Sequence, residues 1–288
     1  MKSKLVIAAG QARRVARLGL LPAALALAVA LPPAPLQAAS HEAAAAVGER
    51  HVTVTTPDGV ADALLFTPPG KSARPAVILW ADIGGLRPAI SEVGRKLAAA
   101  GYVVLAPNAF YRTVKLDGTA VSDVPIRTRF GDWRKPTTKE TIGRDAQAYA
   151  AFLDGLPQVN RKAKMGVVGF DVGSAYAFDA AQALPDRIAA VAVFYPMGTA
   201  TPHDDSPHLF VRESKAAYYV AIAADDDKRE PEDKGQYRDE FAKAHLAGQV
   251  DVIDAKHGFS MPDSAAHDAA ADAGTWAAML KLFRARLR

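Results

Sequence analysis

The chain has 288 residues, half of them hydrophobic, which suffices for one large core or two small ones. It contains no cysteine, which excludes structural disulfides, thiolate catalysis and thiolate metal sites. Lys and Arg number 35 against 31 Asp and Glu, a net of +4, but five of the basic residues and no acid fall in residues 1–38; the remainder holds 30 against 31, a net of −1, with no basic footprint for nucleic acid.

Those first residues read as an export leader. Lys2, Lys4, Arg13, Arg14 and Arg17 precede an apolar run from Leu18 to Leu31, followed by a small-residue exit. The run is shorter than the ~20 residues that span a bilayer, and Pro22 interrupts it. The expected organisation is a signal peptide over 1–38, a loose alanine-rich mature start over 39–50 and a single domain over 51–288. The protein is then exported, to the periplasm or beyond.

Within the domain, apolar runs alternate with amphipathic stretches. His51–Thr55 and Ala61–Phe66 predict two strands around the turn Pro57-Asp58-Gly59. Pro75–Trp80 is an unbroken apolar run, as expected of a strand buried on both faces. Pro88–Ala100 is helical by period and ends at Gly101, and Tyr102–Ala106 predicts the next strand. Residues 108–136 carry Arg112, Arg127, Arg129, Trp133 and Arg134, show no regular period and read as a functional loop or flap. Beyond them, helices are expected over Thr137–Leu153, Ser174–Leu184, Asp233–Ala247 and Ala265–Arg286. Strands are expected over Lys164–Val168, Ala189–Phe194, Tyr218–Ala223 and Gln249–Ile253. The alternation implies an α/β fold, a mostly parallel sheet covered by helices on both faces, whose ligands bind beyond the carboxyl ends of the strands.

Four strand ends carry polar chemistry. Asp82-Ile83-Gly84-Gly85 follows Trp80, Gly169-Phe170-Asp171-Val172-Gly173 follows Val168, Asp225-Asp226-Asp227 follows Ala223, and His257-Gly258 lies beyond Ile253. Gly-x-Asp-x-Gly between strand and helix has the frame of a nucleophile elbow, whose sharp turn needs small residues two before and two after the central side chain. The Val172 amide would then face an oxyanion site near a helix N-terminus, with the Ile83 amide as second donor. Nucleophile, acid and histidine follow one another in the order of α/β-hydrolases. His203 and His208 flank Asp204-Asp205 in a polar stretch that reads as a solvated loop.

Over roughly residues 60–285 the chain resembles the dienelactone hydrolase family. The resemblance rests on Asp82-Ile83-Gly84-Gly85-Leu86, the stretch from Leu97 to Arg112, Asp227 with Pro231 four residues on, and His257-Gly258-Phe259. It implies an α/β-hydrolase fold and hydrolysis of a small ester, lactone or related organic substrate. By position it assigns Asp171 as nucleophile, His257 as base, Asp227 as orienting acid (with Asp225 and Asp226 in competition) and Ile83 with Val172 as oxyanion hole. Asp82 would stand where the family has a glutamate touching the resting nucleophile, and two facing carboxylates there would share a proton. This sequence departs from the family at two points: Asp171 replaces a cysteine, and Met261, four residues past the histidine, replaces a substrate-holding arginine. Arg112 is then a candidate for an anionic substrate, and Trp80 with Trp133 for a halide pocket. The expected partner is a small molecule, with no cofactor, no metal, no nucleic acid and, after leader cleavage, no membrane. A carboxylate nucleophile suits attack at the saturated carbon of an epoxide or haloalkane better than attack on an ester. The competing reading is a non-catalytic binder on the same fold.

Overall fold

The computed structural model describes residues 46–115 and 126–288, with 126–129 as backbone only. The expected leader and the Arg127 and Arg129 side chains lie outside the described residues. The first two strands, β1 (Gly48–Thr56) and β2 (Gly59–Thr67), form a hairpin that closes where Thr56 pairs with Gly59. Gly59 holds φ +136, a backbone angle that L side chains rarely adopt, so the expected turn forms at its glycine. There follow β3 (Ala76–Trp80), α1 (Pro88–Ala99), β4 (Val103–Pro107), α2 (Ile126–Trp133), α3 (Lys139–Asp154), β5 (Met165–Phe170) and α4 (Gly173–Ala183). The chain ends with β6 (Ile188–Phe194), β7 (Ala217–Ala223), α5 (Ala224–Arg229), α6 (Asp233–Lys243), β8 (Gly248–Ile253) and α7 (Ala269–Arg286). All strands join one eight-stranded sheet in the order β1-β2-β4-β3-β5-β6-β7-β8. The β1–β2 and β2–β4 pairs are antiparallel and the other five are parallel.

The sheet divides the core into two layers by the period of two along each strand. In β3, Val77 and Leu79 face α1 and α7, while Ile78 and Trp80 face α3 and α4. All five β3 residues are buried, which is why its sequence is an unbroken apolar run. Each such aliphatic side chain contributes about 1.5–3 kcal/mol by leaving water.

Three elements differ from the sequence expectation. Part of the irregular stretch 108–136 forms α2, a helix of only 8 residues, shorter than the window over which a helical period can be read. Pro207–Glu213 forms a 3₁₀ segment. Helix α5 starts immediately at the end of β7 with three acids in its first turn and Lys228-Arg229 in its last, a distribution that complements the helix dipole. The last element matters for the site.

Candidate active site

Asp171 sits at the turn from β5, next to the middle of the sheet, into α4. Its φ is +52, in the left-handed region, where a non-glycine residue is held only by its surroundings. The Phe194 carbonyl accepts from the Asp171 amide at 3.1 Å, and the Asp171 carbonyl accepts from the amides of Ser174 and Met197. The flanking glycines are sterically required. A Cβ on Gly169 would lie 2.3 Å from the Gly173 carbonyl oxygen, and one on Gly173 would lie 2.4 Å from the Ala81 carbonyl oxygen. Backbone cannot yield there, so the expected elbow is formed for the expected reason. Ser174 points away, its Oγ donating to the Gly169 carbonyl.

The Asp171 carboxylate lies between two partners. The Ile83 amide, in the loop after β3, donates to Oδ2 at 3.4 Å. Nε2 of His257, in the loop after β8, lies 3.5 Å from Oδ1. The side chain is almost buried, at 7% exposure. Val172, whose amide opens α4, follows directly.

On the other side of the imidazole, Nδ1 donates to Asp226 Oδ2 at 2.8 Å. Asp226, not Asp227, is the acid that orients His257, which corrects the expectation from the Pro231 register. The reason is the helix. Successive residues of α5 project about 100° apart, so the three acids of its first turn fan out. Asp225 Oδ1 accepts from the His257 backbone amide at 2.8 Å, Asp226 reaches the ring, and Asp227 turns outward to Lys234 at 2.7 Å. Reading Asp-Asp-Asp-Lys-Arg as a helix start would have signalled this fan. The Tyr195 ring packs edge-on against the imidazole, with centroids 4.9 Å apart.

Burial works against a charge on His257, but the carboxylates of Asp171 and Asp226, one on each ring nitrogen, outweigh it and raise its pKa from 6.5 to about 9. At neutral pH the resting site is therefore an imidazolium between two acids. The folded pKa lies above the unfolded one, so the resulting stabilisation is complete below pH 6.5 and is lost as pH rises through 9. Discounted for a ring 30% exposed, it is on the order of 2 kcal/mol. Chemical denaturation across pH 6.5–9.5 should show this loss, and Asp171→Asn should flatten it.

Asp82, Arg112 and Trp80 do not take the substrate-facing positions expected of them. Asp82 is clamped by Arg87 through two bonds of 2.5 and 2.9 Å, and it also accepts from the Gly84 amide. Arg87 reaches on to Asp263, tying the loop after β3 to the loop after β8. Asp82 is thus paired with Arg87 and not with Asp171. Arg112 bonds Asp145 on α3 with both terminal nitrogens at 2.8 Å and Asp58 of the first turn at 2.7 Å, so its donors serve the fold. Trp80 is fully buried between Tyr149 and Tyr176, because strand parity turns it to the α3–α4 layer. Trp133 is likewise packed on Phe110. Met261 is buried.

A cavity of about 220 Å³ opens beside the elbow, lined by Val172, Tyr176, Met197, Phe130 and Arg134. Arg134 was seen in the sequence only as one of several loop arginines, and nothing in the local pattern marked Tyr176. Among the described residues no group of three or more His, Asp or Glu is placed to hold a metal. His208 Nδ1 pairs with Ser206 Oγ. No helix of the described residues is long and apolar enough to cross a membrane.

Residues 61–287 match the dienelactone hydrolase family. The Synechocystis sp. protein named "Putative carboxymethylenebutenolidase" is 26% identical over 231 residues, which cover 78% of this chain and 91% of that one. The solved "Putative Dienelactone Hydrolase" of Klebsiella pneumoniae superposes with a TM-score of 0.73 at 18% identity, over 83% of this chain and 99% of its own. A dienelactone hydrolase-like promiscuous phosphotriesterase from metagenomic libraries superposes with a TM-score of 0.67 at 25% identity, over 84% and 100%. These likenesses agree with the eight-stranded, mostly parallel sheet, and the fold is that of the α/β-hydrolases. The chain is a hydrolase and belongs to the dienelactone hydrolase family.

Proposed function

We propose that this hydrolase opens a small organic substrate by carboxylate attack of Asp171 at a saturated carbon, as in an epoxide or haloalkane, and then hydrolyses the resulting ester. One observation carries this reading: the Ile83 amide already donates to Asp171 Oδ2. In a hydrolase with a serine or cysteine nucleophile, that donor waits for the substrate's carbonyl oxygen. Here the nucleophile's own second oxygen takes the position, as it would in a carboxylate whose ester is to be attacked.

The steps balance. Asp171 forms a carbon–oxygen bond, and the leaving group departs with the bonding pair. Esterification removes the negative charge of Asp171, one of the two acids that raise the His257 pKa. The imidazolium then gives up its proton to solvent and becomes a base at the step that needs one. Neutral His257, held by Asp226, takes a proton from water as that water attacks the Asp171 carboxyl carbon. The oxyanion develops on Oδ2, against the amides of Ile83 and Val172. Collapse expels the alcohol, and an oxygen of water stays in Asp171. The roles of Asp226 and Asp227 separate by substitution: Asp226→Asn is expected to lower kcat about 10²–10⁴-fold, in the range known for misoriented catalytic histidines, while Asp227→Asn stays within about three-fold of the wild type.

The test is a single turnover in oxygen-18 water against a panel of epoxides, haloalkanes, lactones and p-nitrophenyl esters. Label found in the peptide carrying Asp171 supports the ester intermediate. Turnover with all the label in the product and none in Asp171 overturns it in favour of ester or lactone hydrolysis, the reading that the carboxymethylenebutenolidase relative supports. No turnover of any substrate supports the non-catalytic binder. Export is part of the proposal and rests on the leader-like residues 1–38; recovery of the full-length gene product in the cytoplasmic fraction would exclude it.

A further inference from the structure

The stripe Val172, Ala175, Tyr176 and Asp179 lies along one face of α4, at the i, i+3, i+4, i+7 spacing that aligns side chains on a helix. Its first three residues line the cavity beside the elbow, and its last three line a second cavity of about 960 Å³. The two cavities share Arg134, Thr137 and Gly198 as well, so a continuous groove runs from the elbow to Asp179, about 10 Å along the helix from Val172.

Asp179 is an anomaly in this groove. It is 93% removed from solvent, since its exposure is 7%, and its Oδ1 is buried with no hydrogen-bond partner. No described residue bonds its Oδ2 either. Burial is the main cause that lifts its pKa from 3.8 to about 7, with the charge of Lys139 opposing and that of Glu140 assisting. The other charged or titratable groups lining the cavity, Arg134, Lys135, His203 and Asp205, complete its electrostatics. Most are already engaged. Lys139 bonds Glu213 and stands 3.5 Å over the Phe210 ring, Lys135 bonds Asp132, Glu140 accepts from Thr138, and Arg134 lies over the Phe130 ring. An unpartnered buried carboxyl is costly, and among the described residues only the distant charge of Lys139 offsets that cost for Asp179.

We propose that Asp179 is a specificity-determining residue that binds a protonated amine of the substrate, holding it in the α4 groove two helical turns from the elbow. A hydroxyl would give the carboxylate one hydrogen bond and leave its charge uncompensated. An ammonium supplies both the donor and the opposite charge. The assignment of the ligand as substrate rests on the reaction proposed above; the binding site itself does not.

Titration calorimetry with benzylamine and benzyl alcohol as probes tests the site independently of turnover. The wild type is expected to bind the amine about ten-fold more tightly than the alcohol, the increment of one charge-assisted bond. Asp179→Asn should remove that advantage and leave the alcohol unchanged, while Asp171→Asn should keep it. In wild type the amine affinity should rise between pH 5.5 and 8 as Asp179 ionises, and should still do so in His203→Asn, which keeps the proposal testable if Asp179→Asn does not fold. Equal binding of amine and alcohol, or an amine affinity indifferent to Asp179→Asn, overturns the proposal. Failure of every turnover assay with these titrations intact would instead count against the reaction assigned to Asp171.

Discussion

Asp171→Asn is expected to lower turnover by on the order of 10⁴-fold without unfolding the protein. The amide is nearly the same shape as the carboxylate and keeps an oxygen for the Ile83 N–H, so the elbow retains its contact. What it loses is nucleophilicity and the charge facing His257. The complementary variant is His257→Gln. Displacement by Asp171 needs no base, so the first step should survive, whereas hydrolysis of the ester should stall. The expected result is a burst of one equivalent of leaving group, and a gain in mass on the Asp171 peptide equal to the alkyl group. A His257→Gln protein that neither bursts nor gains mass on any panel substrate, while the wild type turns that substrate over, excludes the alkyl-enzyme route.

Arg112→Ala is expected to destabilise the protein by about 3–5 kcal/mol, the cost of leaving a buried charge unpaired. Asp145, whose side chain is fully buried, takes both terminal nitrogens of Arg112 and the Tyr111 hydroxyl. The same guanidinium holds Asp58, so one residue joins the first turn, the chain after β4 and α3. Removing it leaves the Asp145 carboxylate with the Tyr111 hydroxyl alone. Urea denaturation reads the loss, and the double variant Arg112→Met with Asp145→Leu should recover most of it, because the burial cost then disappears with the charge. The KM of the folded fraction should change by less than about three-fold, a result that separates this structural role from the anionic-substrate role expected at first.

That reversal shows how the sequence could be read and where it could not. The buried strands announced themselves because a strand covered on both faces must be apolar throughout. The elbow was legible because its glycines answer tight backbone contacts: a Cβ on Gly169 would strike the Gly173 carbonyl within the turn, and one on Gly173 would strike the Ala81 carbonyl at the end of β3. Helix α2 escaped notice because its 8 residues are too few to establish a period, and a helix end such as that of Pro88–Ala100 was placed within a residue because a glycine marks it. At the site, the order of elbow aspartate, acid and histidine was visible along the chain, and Ile83 and Val172 lie in the loops expected of them.

The partners of the charged side chains were not visible. Asp82, Arg112 and Asp227 stood beside the right strand ends and had the right chemistry. Arg87, Asp145 and Lys234 satisfied them instead, from positions 5, 33 and 7 residues away. Which of three consecutive acids meets His257 depended on the phase of α5, and that phase is set by where β7 ends. Trp80 was removed from the site by the parity of a single strand residue. The isolation of Asp179 is a property of the packed state alone, since only the packing shows that none of the described side chains bonds it. By itself the sequence determined the α/β-hydrolase fold, the elbow and the chain order of its candidate site residues, because these rest on periodicity and on the small residues that a tight turn demands. Only the tertiary structure decided which carboxylates are spoken for and which remain available for chemistry, because an ion pair is chosen by distance in space and by the cost of burying a charge alone.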